Sequence, residues 1–244
     1  MWPMLLSIVI PAFNEAAYLG DTLASLNRAK AFLKHDKNIE AEIIVVDNDS
    51  NDSTVAVARV MGATITTESQ HNVAQVRNSG AQVSHGDVLV FVDADTLVPS
   101  TLLARIAETM SDANCFGGAV DTDYRPRKLS VRLFLRFWRI IGRALGMAQG
   151  ATQFCRRDVF VALNGYDETL FMGEDVDFYW RLKKFAKRQH ARVTFIDDLR
   201  VVPSARRFDQ WPFWRTLLWT NPFLIFLLRR SKTSWKGWYK GAPR

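Results

Sequence analysis

The first half of the chain repeats one pattern, in which an apolar run ends in polar or acidic residues and a helical stretch follows. This pattern predicts strands near residues 6–10, 42–47, 63–67, 87–93 and 116–121, with helices near 15–33, 53–61, 71–83 and 99–110. Strands that alternate with helices form βαβ units and a parallel sheet. Because ligands of such sheets bind at the carboxyl ends of the strands, the polar residues that follow the strands are predicted to lie along one edge.

The strongest signal within this pattern is the pair Asp93 and Asp95, which directly follows five apolar residues. Side chains alternate along a strand, but two carboxylates can converge where the strand breaks into a turn. Converged carboxylates repel one another unless a cation lies between them, and a divalent cation held in this way binds phosphate oxygens. The alternative is a structural Asp-Ala-Asp turn that caps the following helix.

Composition is consistent with one compact α/β domain that carries attachments. The 244 residues are 48% hydrophobic, which is enough to bury a core without disulfide or metal crosslinks. The two cysteines, Cys115 and Cys155, lack the spacing of zinc or redox sites, which indicates a reducing compartment. The apolar N-terminus has no basic lead-in and its run is broken at Pro11, so we interpret it as the first strand and not as a secretion signal.

Charge is divided unevenly along the chain. Residues 1–124 contain 7 Lys+Arg and 16 Asp+Glu, a net charge of −9, whereas residues 125–244 contain 25 and 9, a net charge of +16. The second half is therefore predicted to face an anionic partner, such as lipid headgroups or a phosphorylated substrate. Nucleic acid is not expected as the partner, because no recognition motif or stacking pattern accompanies the basic residues.

Five motifs resemble those of family 2 glycosyltransferases, in the same order, over about residues 6–207. They are Pro11-Ala-Phe-Asn14-Glu15, Val46-Asp47 with Ser50 and Thr54, Asn72-Val-Ala-Gln-Val-Arg77-Asn78-Ser-Gly80, Phe91-Val-Asp93-Ala-Asp95 and Gly173-Glu174-Asp175. The resemblance implies a GT-A fold, which is an α/β fold with a Rossmann-like, mostly parallel sheet flanked by helices. It also implies a nucleotide-diphosphate sugar donor, UDP-linked by default with GDP-mannose open, a divalent metal (Mg²⁺ or Mn²⁺) and transfer with inversion.

The resemblance further implies roles for individual residues. Pro11, Asn14 and Glu15 would lie near the nucleoside, Asp47 would accept a hydrogen bond from the base, Arg77 would hold the nucleotide, Asp93 would contact the ribose or the metal, and Asp95 would coordinate the metal. The residue chemistry agrees, since a strand-end carboxylate suits the N–H donor of a base and a cation suits phosphate oxygens. For Arg77 the alternative is a surface ion pair with a helix acid.

Acids that follow Gly173 are candidates for the catalytic base. A glycine followed by Glu174, Asp175 and Asp177 is typical of a helix N-terminus, where unpaired N–H groups and the helix dipole stabilise carboxylates. These acids are therefore either only first-turn helix residues or catalytic groups. The resemblance makes Asp175 the base, with Glu174 and Asp177 as the other candidates. An acceptor hydroxyl needs such a base, and a metal removes the need for an acid on the leaving diphosphate.

One departure from the family pattern concerns the metal. Members of the family commonly have a histidine after the next strand that completes the metal site, and Ser204 stands near that place here. Because serine is a weaker ligand, either the diphosphate and water complete the coordination or Arg206 and Arg207 neutralise the leaving group directly. The alternative for the two arginines is a solvated basic turn.

Residues 129–145 predict a helix that contacts an anionic membrane surface. Helical geometry places four arginines within an arc of roughly 60° on an otherwise apolar helix. They are Arg132, Arg136, Arg139 and Arg143. The alternative is a helix that packs on the sheet and has a solvated arginine face.

Residues 211–230 form a second apolar segment. Arg215 and Asn221-Pro222 divide it into pieces too short to span a bilayer, which favours an in-plane or re-entrant hairpin. Five of the eight tryptophans lie beyond residue 210, which is typical of an interfacial belt. The alternatives are a dimer interface and a flap over the acceptor groove.

The chain as a whole is predicted to divide near residue 207. Residues 1–207 would form the glycosyltransferase domain, with a donor half at about 1–124 and an acceptor half at about 125–207, and residues 208–244 would form a basic, aromatic-rich tail. The expected acceptor group is a hydroxyl or a phosphate of a lipid-linked or cell-envelope saccharide. The protein is expected to be held peripherally at the cytoplasmic face of a membrane. The sequence makes no prediction of the oligomeric state.

Two other classes of protein share part of this pattern. The stretch from Phe91 to Thr96 also resembles the nucleophile motif of haloacid-dehalogenase-like phosphatases, with Asp197 and Asp198 as their distal acids. In that family the nucleophile lies on the first strand, whereas two strand-and-turn units precede it here. A non-catalytic nucleotide-sugar-binding scaffold is the second alternative, and the intact Asp95 and Asp175 argue against it.

Overall fold

The structure is a computed structural model that describes residues 4–148 and 150–234. Eight strands of the described chain form one sheet in the order β3-β2-β1-β4-β7-β6-β8-β5. The strands are β1 (Leu5–Ala12), β2 (Glu40–Asp47), β3 (Thr64–Thr67), β4 (Val88–Val92), β5 (Thr96–Leu97), β6 (Cys115–Thr122), β7 (Thr152–Arg156) and β8 (Arg192–Pro203). The helices are α1 (Ala16–Lys37), α2 (Thr54–Val60), α3 (Val73–Val83), α4 (Leu102–Met110), α5 (Leu129–Ala144), α6 (Arg157–Ala162), α7 (Glu174–Arg188), α8 (Arg206–Gln210), α9 (Phe213–Trp219) and α10 (Pro222–Leu228).

The first four strands make the parallel half of the sheet. β1 pairs in parallel with β2 on one side and with β4 on the other, and β2 pairs in parallel with β3. All five residues of β4 are buried, as expected for a strand covered by helices on both faces. The predicted α/β class and mostly parallel sheet are confirmed, and every predicted strand and helix of this half is present within a few residues of its predicted bounds.

Two hydrophobic clusters sandwich this half of the sheet. One lies between the sheet and α1 with α4, and the other between the sheet and α3 with α6 and α7. Gly80 allows α3 to lie close to the strands, because a Cβ there would come within 2.4 Å of Val9 Cγ1 and 2.7 Å of Val46 Cγ2. This close packing fixes the side chains of α3 relative to the carboxyl ends of the strands.

The second half of the sheet was not predicted in full. β7 lies antiparallel between β4 and β6, and β6 pairs in parallel with β8. The backbone N–H of Asp93 donates to the carbonyl of Ala151 at 3.3 Å, just before β7 begins. The end of β4 is thereby joined to the segment that packs against the first turn of α7.

The C-terminal helices pack against α5. Phe208 and Trp211 are buried, and rings meet edge to face between Tyr124 and Phe208 and between Phe134 and Phe213. The predicted helix over 129–145 is confirmed as α5, and the divided apolar segment is present as α9 and α10. The predicted domain boundary stays a prediction, and α8 runs across it. The last two tryptophans, at 235 and 238, lie outside the described residues.

Three of the four arginines on α5 have partners within the protein, whereas Arg136 is exposed, and the predicted contact of this stripe with an anionic membrane stays a prediction. Arg139 and Arg143 pair with the carboxylate of Asp121, and Arg132 donates to the carbonyl of Pro126. The buried carboxylate of Asp121 attracts these side chains toward the protein. The outward face of α5 instead carries large apolar residues, namely Leu129, Leu133, Phe137 and Ile140. Within the described residues, no helix combines the length and the apolar character needed to cross a bilayer.

Candidate active site

A cavity of about 820 Å³ lies where the carboxyl ends of β1 and β4 meet the first turn of α7 and the start of α8. Its walls contain ten of the residues that the sequence singled out: Pro11, Glu15, Arg77, Asp93, Asp95, Glu174, Asp175, Asp177, Arg206 and Arg207. They come from the ends of β1 and β4 and the turns that follow, from α3 through Arg77, and from the first turns of α7 and α8. The structure therefore brings together acids and arginines that lie as much as 191 positions apart in the chain.

Asn14 and Asp47 do not line this cavity. The amide oxygen of Asn14 accepts a hydrogen bond from the backbone of Asn51 at 2.8 Å, and its own N–H donates to Ser50 Oγ at 3.0 Å. The buried carboxylate of Asp47 accepts from the N–H of Ser50 at 3.3 Å. Both residues thus join the loop after β1 to the loop after β2. Their predicted contacts with the nucleoside stay predictions.

Arg77 is buried and connects two acids of the cavity. Its guanidinium donates to Asp93 at 2.9 Å and to Glu174 at 2.7 Å, and it lies over the ring of Tyr166. Only 4% of its side chain is exposed, which rules out the surface ion pair considered as its alternative role. Arg77 therefore fixes the end of β4 relative to the first turn of α7.

Arg206 makes a corresponding connection on the opposite side of the cavity. Its guanidinium is hydrogen-bonded to both carboxylate oxygens of Glu15, lies 3.3 Å from Asp95 and stacks over Tyr18. The backbone of Ser204 also donates to the carbonyl of Asp95 at 2.9 Å. Because the side chain of Arg206 is only 5% exposed, it is not part of a solvated basic turn. It is a fixed positive charge beside the carboxylate predicted to bind metal.

The cavity carries more acids than cations. Six carboxylates and four guanidiniums line it, so its formal charge is −2 when all are ionised. The pKa of the Asp95 carboxyl is raised to about 7, chiefly because burial disfavours its charged form; Arg206 opposes this shift, and the charges of Asp93 and Glu15 add to it. This negative surplus favours binding of a cation.

The donor set around Asp93 and Asp95 suits a divalent cation that a ligand also helps to coordinate. Among the described residues there is no group of three or more His, Cys, Asp or Glu able to hold a metal ion by themselves. Mg²⁺ and similar cations, however, are commonly held by one or two carboxylates together with substrate phosphates. The two carboxylates and the surplus negative charge fit this arrangement.

Asp175 lies in the first turn of α7 and is held in place by its neighbours. Its Oδ1 accepts from the N–H of Val176 at 2.8 Å, and its carbonyl accepts from the amide of Gln153 at 3.0 Å. Gly150 leaves the space for its carboxylate, because a Cβ there would lie 2.5 Å from Oδ2. Burial raises the pKa of Asp175, and the neighbouring charge of Glu174 adds to that effect. An acid whose pKa is raised in this way is suited to accept a proton near neutral pH.

The two other candidate bases are already paired. Glu174 accepts from Arg77, and Asp177 accepts from Arg181 at 2.7 Å. Asp198, a distal acid of the phosphatase alternative, pairs with the exposed Arg105 and does not line the cavity. Within the described part of the chain, no lysine or arginine lies at salt-bridge distance from the carboxylate of Asp175. Geometry therefore favours Asp175 over its neighbours.

Several cavity residues had no signal in the sequence. Phe13 and Asn48 line one end, and the ring of His71 packs against that of Phe13 with a distance of 4.7 Å between the ring centroids. At the other end the wall is apolar and is formed by α5 and the C-terminal helices through Leu135, Trp138, Trp219, Ile225 and Phe226. The sequence placed Trp138 in the predicted helix over 129–145 and gave the segment of Trp219 two interpretations that bear on this site, an interfacial belt and a flap over the acceptor groove. Their position in the cavity depends on the packing of α9 and α10.

Comparison with known proteins agrees with this geometry. A relative, the glycosyltransferase AglE of Haloferax volcanii, is 26% identical over 216 residues, which cover 84% of this chain and 68% of AglE. The solved mannosyltransferase PcManGT from Pyrobaculum calidifontis, in complex with GDP-Man and Mn²⁺, aligns at a TM-score of 0.65 and 18% identity, over 100% of this chain and 67% of that one. S. aureus TarS 1-349, in complex with UDP-GlcNAc, aligns at a TM-score of 0.62 and 17% identity, over 82% of this chain and 58% of TarS.

The structural likeness shows that the fold is the predicted GT-A fold. Some further relatives match over about 100 residues only, so the matched segment spans about a quarter of their lengths. The sequence profile described as Glycosyl transferase family 2 matches residues 7–162, which include the motifs around Asn14, Asp47, Arg77 and Asp95. The resemblance seen in the sequence is confirmed, and the chain belongs to glycosyl transferase family 2.

Proposed function

We propose that this chain transfers a sugar from a nucleoside-diphosphate sugar to a hydroxyl of an acceptor by a single displacement, with inversion at the anomeric carbon. The observation that carries the proposal is the placement of Asp175 in the same cavity as Asp93, Asp95 and Arg206. Asp175 is suited to accept a proton, whereas Asp93, Asp95 and Arg206 are suited to bind a diphosphate and its cation. A single displacement needs one base, and the cavity offers one acid with a raised pKa that is not paired with an arginine.

The residues have separate tasks in this mechanism. The Asp175 carboxylate accepts the proton of the acceptor hydroxyl as its oxygen attacks the anomeric carbon. Asp93 and Asp95 would hold a divalent cation, which when bound neutralises the negative charge of the diphosphate leaving group. Arg206 and Arg207 line the same part of the cavity and place further positive charge beside the diphosphate. Arg77 keeps the base-bearing α7 at a fixed distance from the end of β4.

For the donor we propose a UDP-sugar. Solved structures with the same fold hold UDP-GlcNAc in one case and GDP-Man with Mn²⁺ in another. The ring of Phe13, against which His71 packs, is the part of the wall best suited to a base. One stacking ring fits a compact pyrimidine.

For the acceptor we propose a lipid-linked saccharide or another saccharide amphiphile. The wall opposite the donor end is apolar, and its residues belong to the same helices whose outer faces are exposed. An acceptor with only hydroxyl groups would leave this wall without a partner, whereas a hydrocarbon chain would bury it. The hydroxyl of such an acceptor would lie near Asp175 and its chain would leave between α5 and the C-terminal helices.

We further propose that these helices dock on an anionic bilayer, at the cytoplasmic face of a membrane. Apolar residues are exposed on α5 (Leu129, Leu133, Phe137, Ile140), on α9 (Phe213, Trp214, Leu217, Leu218) and on α10 (Phe226, Leu227). Monomeric proteins rarely expose so many large apolar side chains on adjoining helices. The net charge of +16 on residues 125–244 favours an anionic surface over a second copy of this positively charged half.

The decisive experiment for the reaction is Asp175→Asn, with Asp177→Asn as the matched control. Loss of a general base lowers the rate by about 10² to 10⁴, so turnover of Asp175→Asn should collapse while its affinity for UDP with Mn²⁺ stays within a few-fold. Release of UDP from the donor measures turnover, and calorimetry measures affinity. Asp177→Asn should retain turnover. If Asp177→Asn collapses and Asp175→Asn does not, the base has been assigned to the wrong carboxylate.

The membrane proposal is tested by removing exposed apolar residues of α5. The triple variant Leu133→Ser, Phe137→Ser, Ile140→Ser should no longer co-sediment with vesicles of phosphatidylglycerol. The control variant Val60→Ser, Val83→Ser, Val161→Ser removes exposed apolar residues from other surfaces and should still bind. Burial of one large side chain contributes about 1.5–3 kcal/mol, so three losses exceed the attraction expected of a weak peripheral contact. Equal pelleting of both variants would contradict docking through α5.

A further inference from the structure

Asp121 is a buried acid surrounded by three arginines, outside the residues proposed for the reaction. The Oδ2 atom of Asp121 lies 3.5 Å from Arg139, 3.0 Å from Arg143 and 3.1 Å from Arg200. Its Oδ1 accepts from the N–H of Thr122 at 3.0 Å. The side chain of Asp121 is only 1% exposed, whereas those of the three arginines are 27%, 38% and 54% exposed. Four side chains from α5, β6 and β8 therefore meet at one point.

This cluster holds more positive charge than its own acid can neutralise. One carboxylate offsets one guanidinium, so the group has a formal surplus of +2. Among the described residues, Asp121 is the one acid within salt-bridge distance of any of the three arginines. Each guanidinium has five N–H donors, and Oδ2 of Asp121 is in contact with only one nitrogen of each guanidinium. A single arginine would suffice to stabilise the buried acid, so the structural need of Asp121 does not explain the other two.

Their remaining donors are available to an anionic ligand. Arg139 and Arg143 are one helical turn apart on α5, and Arg143 also lies over the ring of Phe195. Like charges one turn apart destabilise a helix, and the single carboxylate of Asp121, which Arg200 shares, offsets only part of this repulsion. Guanidinium groups match the oxygens of both carboxylates and phosphates, and the surplus of two positive charges favours a phosphate, which carries about −1.5 to −2 near pH 7.

The position of the cluster indicates what carries the phosphate. A small cavity beside the arginines is bounded by Trp138, Met147 and Val176, and these three residues also line the main cavity. Val176 follows the proposed base Asp175. The exposed apolar residues of α5 lie on the face of the helix next to Arg139 and Arg143. A phosphate bound here would thus lie between the acceptor end of the main cavity and the proposed bilayer surface.

We propose that Arg139, Arg143 and Arg200 form a binding site for a phosphate group carried on a hydrocarbon chain. The phosphate has two sources, the headgroup of a bilayer lipid or the lipid phosphate of the acceptor. Phosphate binding itself does not require the transferase activity, whereas its assignment to the acceptor rests on the proposed function. Affinity for UDP with Mn²⁺, measured on the same variants, therefore separates a failure of this site from a failure of the proposed function.

The test compares Arg139→Gln, Arg143→Gln, Arg200→Gln with a control that loses the same charge elsewhere. The control is Arg105→Gln, Arg188→Gln, Arg192→Gln, whose arginines lie away from the cluster, two of them in exposed ion pairs with Asp198 and Asp112. The probe is hexyl phosphate, titrated calorimetrically below its micelle concentration, with hexanol as the uncharged counterpart. Because hydrogen bonds to charged groups are lost, the triple variant at Arg139, Arg143 and Arg200 should bind hexyl phosphate at least about tenfold more weakly. The control variant should change the affinity less than about twofold.

Competition distinguishes the two sources of phosphate. Phosphatidylglycerol vesicles should displace hexyl phosphate if bilayer headgroups occupy the site, whereas phosphatidylcholine vesicles that contain a little polyprenyl monophosphate should displace it if the acceptor does. Equal loss of affinity in the cluster and control variants, or equal binding of hexanol and hexyl phosphate, would overturn the proposal.

A second variant keeps the test decisive if the triple change unfolds the protein. Arg200→Gln removes the most exposed of the three side chains and leaves two arginines on Asp121, so folding should be retained. It should weaken hexyl phosphate binding several-fold relative to Arg192→Gln, which lies on the same strand. No difference between these two single variants, in proteins with wild-type circular dichroism, would also contradict the site.

Discussion

Replacing Gly150 by alanine is expected to displace the proposed base together with the first turn of α7. The new Cβ would lie 2.5 Å from Asp175 Oδ2 and 2.6 Å from its Cβ, whereas ordinary contacts begin at 3.4 Å. Rotation of the carboxylate relieves the contact with Oδ2 but not the contact with Cβ, so the backbone at residue 150 and the first turn of α7 must move apart by about 0.8 Å, and the carboxylate moves with the helix. A misplacement of about 1 Å costs about 10²-fold in rate, which corresponds to about 2.7 kcal/mol of transition-state stabilisation.

The matched control for this prediction is Gly20→Ala on α1. A Cβ at Gly20 would lie 3.7 Å from Val57, which is an ordinary contact, and alanine in a helix stabilises by up to about 1 kcal/mol. Turnover is measured as release of UDP from the donor, affinity by calorimetry with UDP and Mn²⁺, and stability by thermal unfolding. Gly150→Ala should lose turnover and keep its affinity for UDP with Mn²⁺, and its melting temperature should fall because the first turn of α7 shifts. Turnover within about threefold of the Gly20→Ala protein would refute the placement of Asp175 against Gly150.

Three further predictions follow from the same site. Burial raises the pKa of Asp175 to about 7, and the base must be ionised to accept a proton. The value of kcat/KM should therefore rise about tenfold per pH unit up to about pH 7 and then stay level. An inflection near pH 4 in the pH profile would contradict this. Asp95→Ala should abolish Mn²⁺-dependent binding of UDP in calorimetry, and an unchanged affinity would remove Asp95 from the proposed metal site. Arg77→Met leaves Glu174 and Asp93 without their cation and should lower the free energy of unfolding by about 3–5 kcal/mol, toward the lower value because Asp93 is partly exposed. Arg105→Met breaks an exposed pair and should cost less than about 1 kcal/mol in the same urea titration. Equal losses in the two variants would contradict the buried bridge.

The sequence by itself determined the parallel half of the sheet and the edge at which the polar residues lie. β-Branched runs between helical stretches specify the strands locally, and the handedness and topology of βαβ units then place the carboxyl ends of those strands together. The position of Asp93 and Asp95 at the end of β4 follows from these local signals alone. The helix α5 and the divided apolar segment after residue 210 were predictable for the same reason, because helical periodicity and chain breakers act over a few residues.

Only the tertiary structure decided which charged groups meet. Arg77 pairs with Glu174 across 97 residues, and Arg206 pairs with Glu15 across 191, and nothing in the spacing of these residues specifies either pair. The same holds for Asp121, whose burial draws Arg139 and Arg143 inward and leaves the apolar side of α5 exposed. Partners of this kind depend on the antiparallel insertion of β7 and on the packing of α7 and α8. Such packing is set by the summed burial of many residues, whereas a motif records only the chemistry of each group and not its distance from another.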